Sequence, residues 1–406
     1  MKYNILLIFE IEEYLHRIEC KMNQIIKQKK IMKKIALSVL SILSTFAALA
    51  QEESEGPLTL SGYVDTYYFA NSNGVSGVGA NLGASGFERI FDHNANSFQV
   101  GLAQLMTTYQ KGSVTGVIDV VFGNHADLAN YGNMVSPLGS TSTALAIKQA
   151  FVSWSMTDKI SLTAGQYGTN VGYEVIDAPV NFNYSLSNLF GNGPFYHTGV
   201  KLDVAPSENF AFMVGLTNGL DSKDDNNKSK GIQGQLYFAP TDGWDLYLNY
   251  FGTNEGTKED PVKYTWFDIT TSYQITDKFL VGLNAVPYGS LKTVGDPLTW
   301  WGAALYLNGS LTDKFGLGLR AEHFDNSKGG IYLADANNTG SGEGAAVTSL
   351  TLTGNVDITK NLMFKPEIRF DSYTPSNSAT SWLKDSDGNF TKNSQTTFGA
   401  ALIFHF

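Results

Sequence analysis

The chain has one cysteine in 406 residues, Cys20, so no disulfide framework within it and no cysteine metal cluster can hold it together. Charge is scarce as well, at 16% of residues against about 25% in an ordinary soluble domain. The 28 basic residues are outnumbered by 38 acidic ones, a net charge of −10 that argues against a nucleic-acid binder, whose affinity comes from neutralising phosphates. Proline is limited to 11 residues, and the 41 glycines fit neither a collagen-like nor a Pro-rich disordered composition. Beyond residue 50 no segment approaches the roughly 18 apolar residues of a membrane helix, and none keeps a helical apolar period over a dozen residues. What remains is a glycine-rich chain with 13% aromatic residues, a composition that favours β structure.

The front of the chain reads as an address. Met32-Lys33-Lys34 is a basic start, 35–49 an apolar run of about fifteen residues, and Ala48-Leu49-Ala50 a small-residue cleavage site. Residues 32–50 are therefore expected to be a signal peptide cleaved near Ala50, and 1–31 an extension ahead of the true start at Met32. Residues 1–50 carry 8 basic and 4 acidic groups, so the chain from Gln51 would hold 20 against 34, a net charge of −14, and no cysteine. A short segment, 51–57, then precedes a single domain over 58–406.

That domain repeats one device, a short polar turn between two alternating runs. The turns are Thr157-Asp158-Lys159, Pro206-Ser207-Glu208-Asn209, Pro240-Thr241-Asp242-Gly243, Thr276-Asp277-Lys278, Thr312-Asp313-Lys314 and Thr359-Lys360-Asn361, with Lys111-Gly112 a weaker seventh. Alternation between them is strict. Phe315, Leu317, Leu319 and Ala321 share one face and Gly316, Gly318, Arg320 and Glu322 the other; Leu362, Phe364, Ile368 and Phe370 alternate with Lys365, Glu367, Arg369 and Asp371. Sixteen strands follow, at 58–70, 97–110, 113–125, 144–157, 159–168, 198–205, 209–219, 230–239, 244–254, 264–276, 278–289, 299–312, 314–325, 346–359, 362–373 and 396–406. The run 144–157 leaves open which face is apolar. Seven connections are short and eight are long, and the longest is expected at 169–197.

Short turns at one end and long loops at the other describe an all-β, antiparallel, up-and-down transmembrane β-barrel, with short periplasmic turns and long extracellular loops. A soluble sandwich also alternates, but it does not segregate its turns by length. In a bilayer every backbone polar group must be paired, so the sheet must close, and sixteen strands leave room for water inside. Aromatics at both ends of successive strands fit two interfacial girdles: Phe210, Trp244, Phe279 and Phe315 beside short turns, Tyr250, Tyr288, Phe324 and Tyr373 toward long loops. The terminal Phe406 resembles the assembly signal of outer-membrane barrels, which makes the barrel assembly machinery and periplasmic chaperones expected partners during biogenesis.

The segments LTLSGYVDTYYFA (58–70), RIFDHNANSFQVGLAQL (89–105) and NFNYSLSNLFGNGPFYHTGVKLDV (181–204) resemble the beta-barrel porins of the second, OmpL-like type, outer-membrane proteins of Gram-negative bacteria. The resemblance extends over nearly all of 58–406. It implies an outer-membrane porin, a passive channel for small hydrophilic solutes or ions, with lipid as its surroundings, no cofactor and no enzymatic activity. By analogy with general porins it also implies a third loop folded into the lumen and a homotrimer.

The candidate constriction combines that loop with the wall. Residues 169–197 contain Glu174 and Asp177 and no Lys or Arg, while Lys201, Arg320, Lys365 and Arg369 lie on polar strand faces among Glu322, Glu367 and Asp371. An acidic loop opposite basic wall positions would set up a field that filters solutes by charge; alternatively, the wall charges pair with one another and brace the barrel. His93, His125, His197, His323 and His405 show no zinc spacing, no G-x-S-x-G elbow is present, and Asp385-Ser386-Asp387-Gly388 fits a turn better than a calcium loop. A surface adhesin or receptor with a plugged barrel, and a secreted β-rich binding protein, remain the alternatives.

Overall fold

The computed structural model describes residues 58–84, 88–130, 142–225, 227–331, 344–376 and 381–406. The expected signal peptide, the extension before it and 51–57 lie outside the described residues. The barrel strands are β1 (Leu58–Asn71), β2 (Gln99–Lys111), β3 (Val114–Phe122), β4 (Ile147–Ser155), β5 (Ile160–Gly168), β6 (Tyr196–Ser207), β7 (Phe210–Thr217), β8 (Gly231–Phe238), β9 (Trp244–Asn254), β10 (Lys263–Thr276), β11 (Phe279–Lys292), β12 (Leu298–Thr312), β13 (Phe315–Asp325), β14 (Ala345–Thr359) and β15 (Leu362–Pro375), followed, after a short hairpin in the last loop, by β18 (Ser394–His405). Every neighbour pair is antiparallel and β1 closes onto β18, making a sixteen-stranded barrel. Each expected strand is present with ends displaced by at most three residues. The hairpin, β16 (Leu383–Lys384) and β17 (Phe390–Lys392), was not foreseen; Asp385 fixes its turn by accepting from Asp387 N, Asn389 N and Thr391 Oγ1.

The alternation separates two environments. On β14 Leu350 and Leu352 are exposed outside while Thr351 and Thr353 are fully buried inside, and on β15 Ile368 and Phe370 face out while Lys365, Arg369 and Asp371 face in. Across the seam, Gly62 N donates to Phe406 O at 3.1 Å and Phe406 N to Gly62 O at 3.0 Å, so the C-terminus is stitched to the first strand. The Phe406 ring stays outside, next to Phe404. Along the outer surface Tyr250, Phe267 and Tyr288 form a continuous aromatic row near the long loops. Phe210 with Phe238, and Trp244 with Tyr273, do the same near the turns.

Two of the expected girdle residues are not on the outside. Phe324 and Tyr373 are buried inside the barrel. Parity explains the correction: Phe324 follows Glu322 by two residues and Tyr373 follows Asp371 by two, so each shares the face of an inward carboxylate. Both join an interior cluster with Phe251, Trp266 and Trp300.

The long connections are L1 (72–98), L2 (123–146), L3 (169–195), L4 (218–230), L5 (255–262), L6 (293–297), L7 (326–344) and L8 (376–393). L3 is shorter than expected because β6 begins at Tyr196, and L1 equals it at 27 residues. L2 carries a short helix, α1 (Asn124–Ala129), and L3 carries α2 (Asn188–Gly191). Bulges interrupt the alternation of several strands, and the one on β4 turns a charge inward. Asp119 pairs with Gln149 but Val120 with Ile147, which leaves Lys148 as the extra residue of a β-bulge on β4 and turns its side chain inward.

If the outer face meets hydrocarbon, Leu352→Arg near the middle of β14 costs about 2–4 kcal/mol of folding stability in lipid vesicles, and Thr359→Arg beside the short turn costs about 0–1 kcal/mol. Urea titration of the refolded barrel measures both.

Candidate functional site

A loop folded into a barrel brings backbone N–H and C=O groups that must find partners. L3 finds them on β13, β14 and β15. Glu367 accepts from Tyr184 N at 2.7 Å and Ser185 N at 3.2 Å, and Glu322 accepts from Asn188 N at 3.0 Å and Leu189 N at 2.8 Å. The cations take the carbonyls: Arg320 donates to Ser185 O at 2.6 Å, Arg369 to Leu186 O at 2.7 Å, and Lys365 to Ala178 O at 2.8 Å and to Asn181 O. Asn183 Nδ2 completes the seat on Thr353 Oγ1 at 2.8 Å. Glu174 pairs with Arg320 and accepts from Ser187 N, clasping the two limbs of the loop to each other and to the wall.

Glycine makes the space. A Cβ at Gly318 would lie 2.9 Å from Phe182 Cβ, and one at Gly282 would lie 2.3 Å from Tyr173 Oη. Side chains at these inward positions would push L3 off the wall. Tyr173 instead stacks on Tyr306 of β12, with ring centroids 4.4 Å apart.

The expected constriction residues thus divide. Glu174, Arg320, Glu322, Lys365, Glu367, Arg369 and Asp371 are brought together, yet they lie beneath L3 and hold it, rather than facing it across open water. Asp177 leaves this group and pairs with Lys148, which also lies 3.6 Å from Asp119 on β3. Lys201 stands apart on β6, 3.3 Å from Asp203 and above the Tyr167 ring.

Sequence reasoning missed four participants. Arg89 of L1 pairs with Asp92, reaches Asp371 at 3.1 Å and donates to Thr397 Oγ1 at 2.8 Å, so a second loop is tied into the same wall. Asp268 on β10 accepts from Gly172 N at 3.1 Å and from the Asn249 and Asn284 side chains, anchoring the other limb of L3. Asp119 accepts from Gln104 and Gln149. A lone carboxylate on the inward parity of an apolar strand was the available signal for Asp119 and Asp268. Lys148 was hidden by its bulge, and Arg89 by lying in a loop.

Between L3 and the wall formed by β2, β3, β4, β8, β9 and β10 remains a cavity of about 290 Å³. Two of its lining residues, Phe195 and Tyr196, are held by L4, where Asp221, at φ +47°, accepts from Phe195 N at 2.6 Å and Tyr196 N at 3.0 Å. Burial pushes the Asp221 carboxyl up to about 7, against the lowering effect of those two amides. Burial also pulls the nearby Lys223 ammonium down to about 8; it donates to Ile147 O at 2.7 Å and Gln166 Oε1 at 3.0 Å.

Comparison with known proteins agrees with the barrel fold. The anion-selective porin from Comamonas acidovorans superposes with a TM-score of 0.54 at 11% identity, over 86% of this chain and 99% of that one. The trimer form of in-vitro folded OmpT, an outer membrane protein of Vibrio cholerae, gives 0.53 at 12% identity over 87% and 100%. The outer membrane channel DcaP of Acinetobacter baumannii gives 0.51 at 12% identity over 86% and 97%. At these identities the likeness is one of fold. No curated protein sequence matches the chain. The sequence model described as putative beta-barrel porin-2, OmpL-like, matches residues 57–406, and the chain belongs to that family.

Proposed function

We propose that the protein is an outer-membrane channel through which small hydrophilic solutes diffuse, with L3 as its constriction and a preference for cations. The observation that carries this reading is the barrel itself, apolar outside and polar inside, with a loop bonded across its lumen. Cation preference follows from the interior charge. Among the described residues eleven Asp and Glu side chains are buried, against six Lys and Arg, or seven with the mostly buried Lys148, leaving an excess of four negative charges. Low-dielectric walls focus such an excess into the aqueous path.

The same reading includes a leader cleaved near Ala50, export to the periplasm, insertion by the barrel assembly machinery with Phe406 as its signal, and short turns left on the periplasmic side. A homotrimer fits it too, in view of the trimer form of the Vibrio cholerae protein. Two in-folded loops favour one alternative, a barrel closed for use as a surface receptor.

Planar-bilayer recording separates these two. The channel reading expects stepwise conductance and a reversal potential toward that of K⁺ in a KCl gradient; a folded, inserted barrel without current leaves the receptor. Asp268→Asn keeps the shape while removing a carboxylate that pairs with no cation among the described residues, and is expected to move the reversal potential toward zero. Glu322→Ala with Glu367→Ala strips the acceptors of four loop N–H groups, each worth about 1.5–3 kcal/mol as a hydrogen bond to a charged group. The double variant should show larger, noisier single-channel steps with unchanged heat-modifiable gel migration.

A further inference from the structure

The cavity beside L3 is lined largely by apolar groups. Val171, Val175 and Ile176 line it from the loop, and Leu102, Val121 and Ile147 from the wall. Inward positions elsewhere carry polar groups such as Gln233, Asn249, Asp268, Asn284 and Asn308, or belong to the aromatic cluster of Phe251, Trp266 and Trp300. An apolar lining in the path of an aqueous channel resists hydrated ions and favours solutes with an apolar body. A volume of about 290 Å³ equals the space of roughly ten waters, at the lower edge of small-molecule sites.

Three charged side chains line this chamber: Glu174, which is held by Arg320 and Ser187 N, and the pair Lys148 and Asp177. The situation of the pair differs from that of the cations that seat L3. Arg320, Arg369 and Lys365 are engaged by loop carbonyls, so displacing them would undo the seat of L3. The recorded partners of Lys148 are carboxylates alone, Asp177 and, at 3.6 Å, Asp119, and its side chain keeps 14% exposure. A simple anion that took Lys148 would leave Asp177 buried without its counter-charge, which is costly, and a simple cation on Asp177 would leave Lys148 only the more distant carboxylate of Asp119. A zwitterion avoids the penalty, because its carboxylate can take Lys148 while its ammonium takes Asp177.

We propose that this chamber is a selectivity site for small zwitterions with an apolar body, that is, apolar α-amino acids or correspondingly small peptides. The solute's two charges exchange partners with Lys148 and Asp177, and its side chain lies against Val171, Val175 and Ile176. The proposal rests on the channel reading and names the solute class that the constriction admits best.

The test uses the full chain reconstituted in planar bilayers carrying a K⁺ current, to which four probes are added in turn. Leucine has both charges and the apolar body; glycine lacks the body, 4-methylpentanoate the ammonium, and isoamylamine the carboxylate. Leucine is expected to interrupt the current at a concentration about ten-fold or more below that of each of the others, since apolar contact and both charges act together. Lys148→Gln and Val175→Ser, each checked for heat-modifiable migration, should each erase that preference. Equal potency of the four probes, or a leucine preference that survives both substitutions, overturns the proposal. Absence of any current counts against the channel instead, and titration calorimetry of leucine and glycine on the detergent-solubilised barrel then judges the chamber separately: heat with leucine alone supports it, and heat with neither ends it.

Discussion

The interior of this barrel is organised around an obligation of the backbone. Residues 178–189 of L3 run inside a closed sheet, where the strand ladders have already used their own amides and carbonyls. Their N–H and C=O groups therefore need side-chain partners, and the charges of β13 and β15 supply them in alternation: Glu322 and Glu367 accept, while Arg320, Lys365 and Arg369 donate. Because carboxylates and cations stand side by side on two strands, the ladder is close to neutral in itself and needs no large field from elsewhere. Charge-assisted bonds to backbone are stronger than neutral ones, which suits a loop that must hold its place against solute traffic.

The opposite limb of L3 is held differently. Gly172 rests on Asp268, Asn170 donates to Gly234 O at 3.2 Å, and Asp177 reaches a lysine that exists as an inward group only because of a bulge. Here the contacts are fewer and the neighbouring surface is apolar. One side of the lumen is thus a seat and the other leaves a cavity, with negative charge in excess among the buried side chains. The likeness to an anion-selective porin is one of strand arrangement, and the sign of the interior charge is set by residues the two folds need not share.

Much of this was legible from residue order. A period of two, turns such as Thr312-Asp313-Lys314, and the division of connections by length fix sixteen strands and their two faces, because each side chain in a strand meets one of only two environments. The same rule, applied consistently, would have placed Phe324 and Tyr373 inside; aromatic type near a strand end was a weaker guide than parity. The acidic character of 169–197 and the charged faces of β13 and β15 pointed to the right residues but to the wrong relation, since a field across water and a bonded seat draw on the same side chains.

The sequence by itself determined the closed sheet, its lipid-facing and inward faces and its membrane setting, because these follow from local alternation and from the need to pair every backbone group. Only the tertiary structure decided where L3 lies, that Arg89 of L1 joins the same wall, and that Lys148 points inward. Each depends on partners far away along the chain, or on one unpaired residue that reverses the parity of a strand, and neither leaves a periodic trace in the order of the residues.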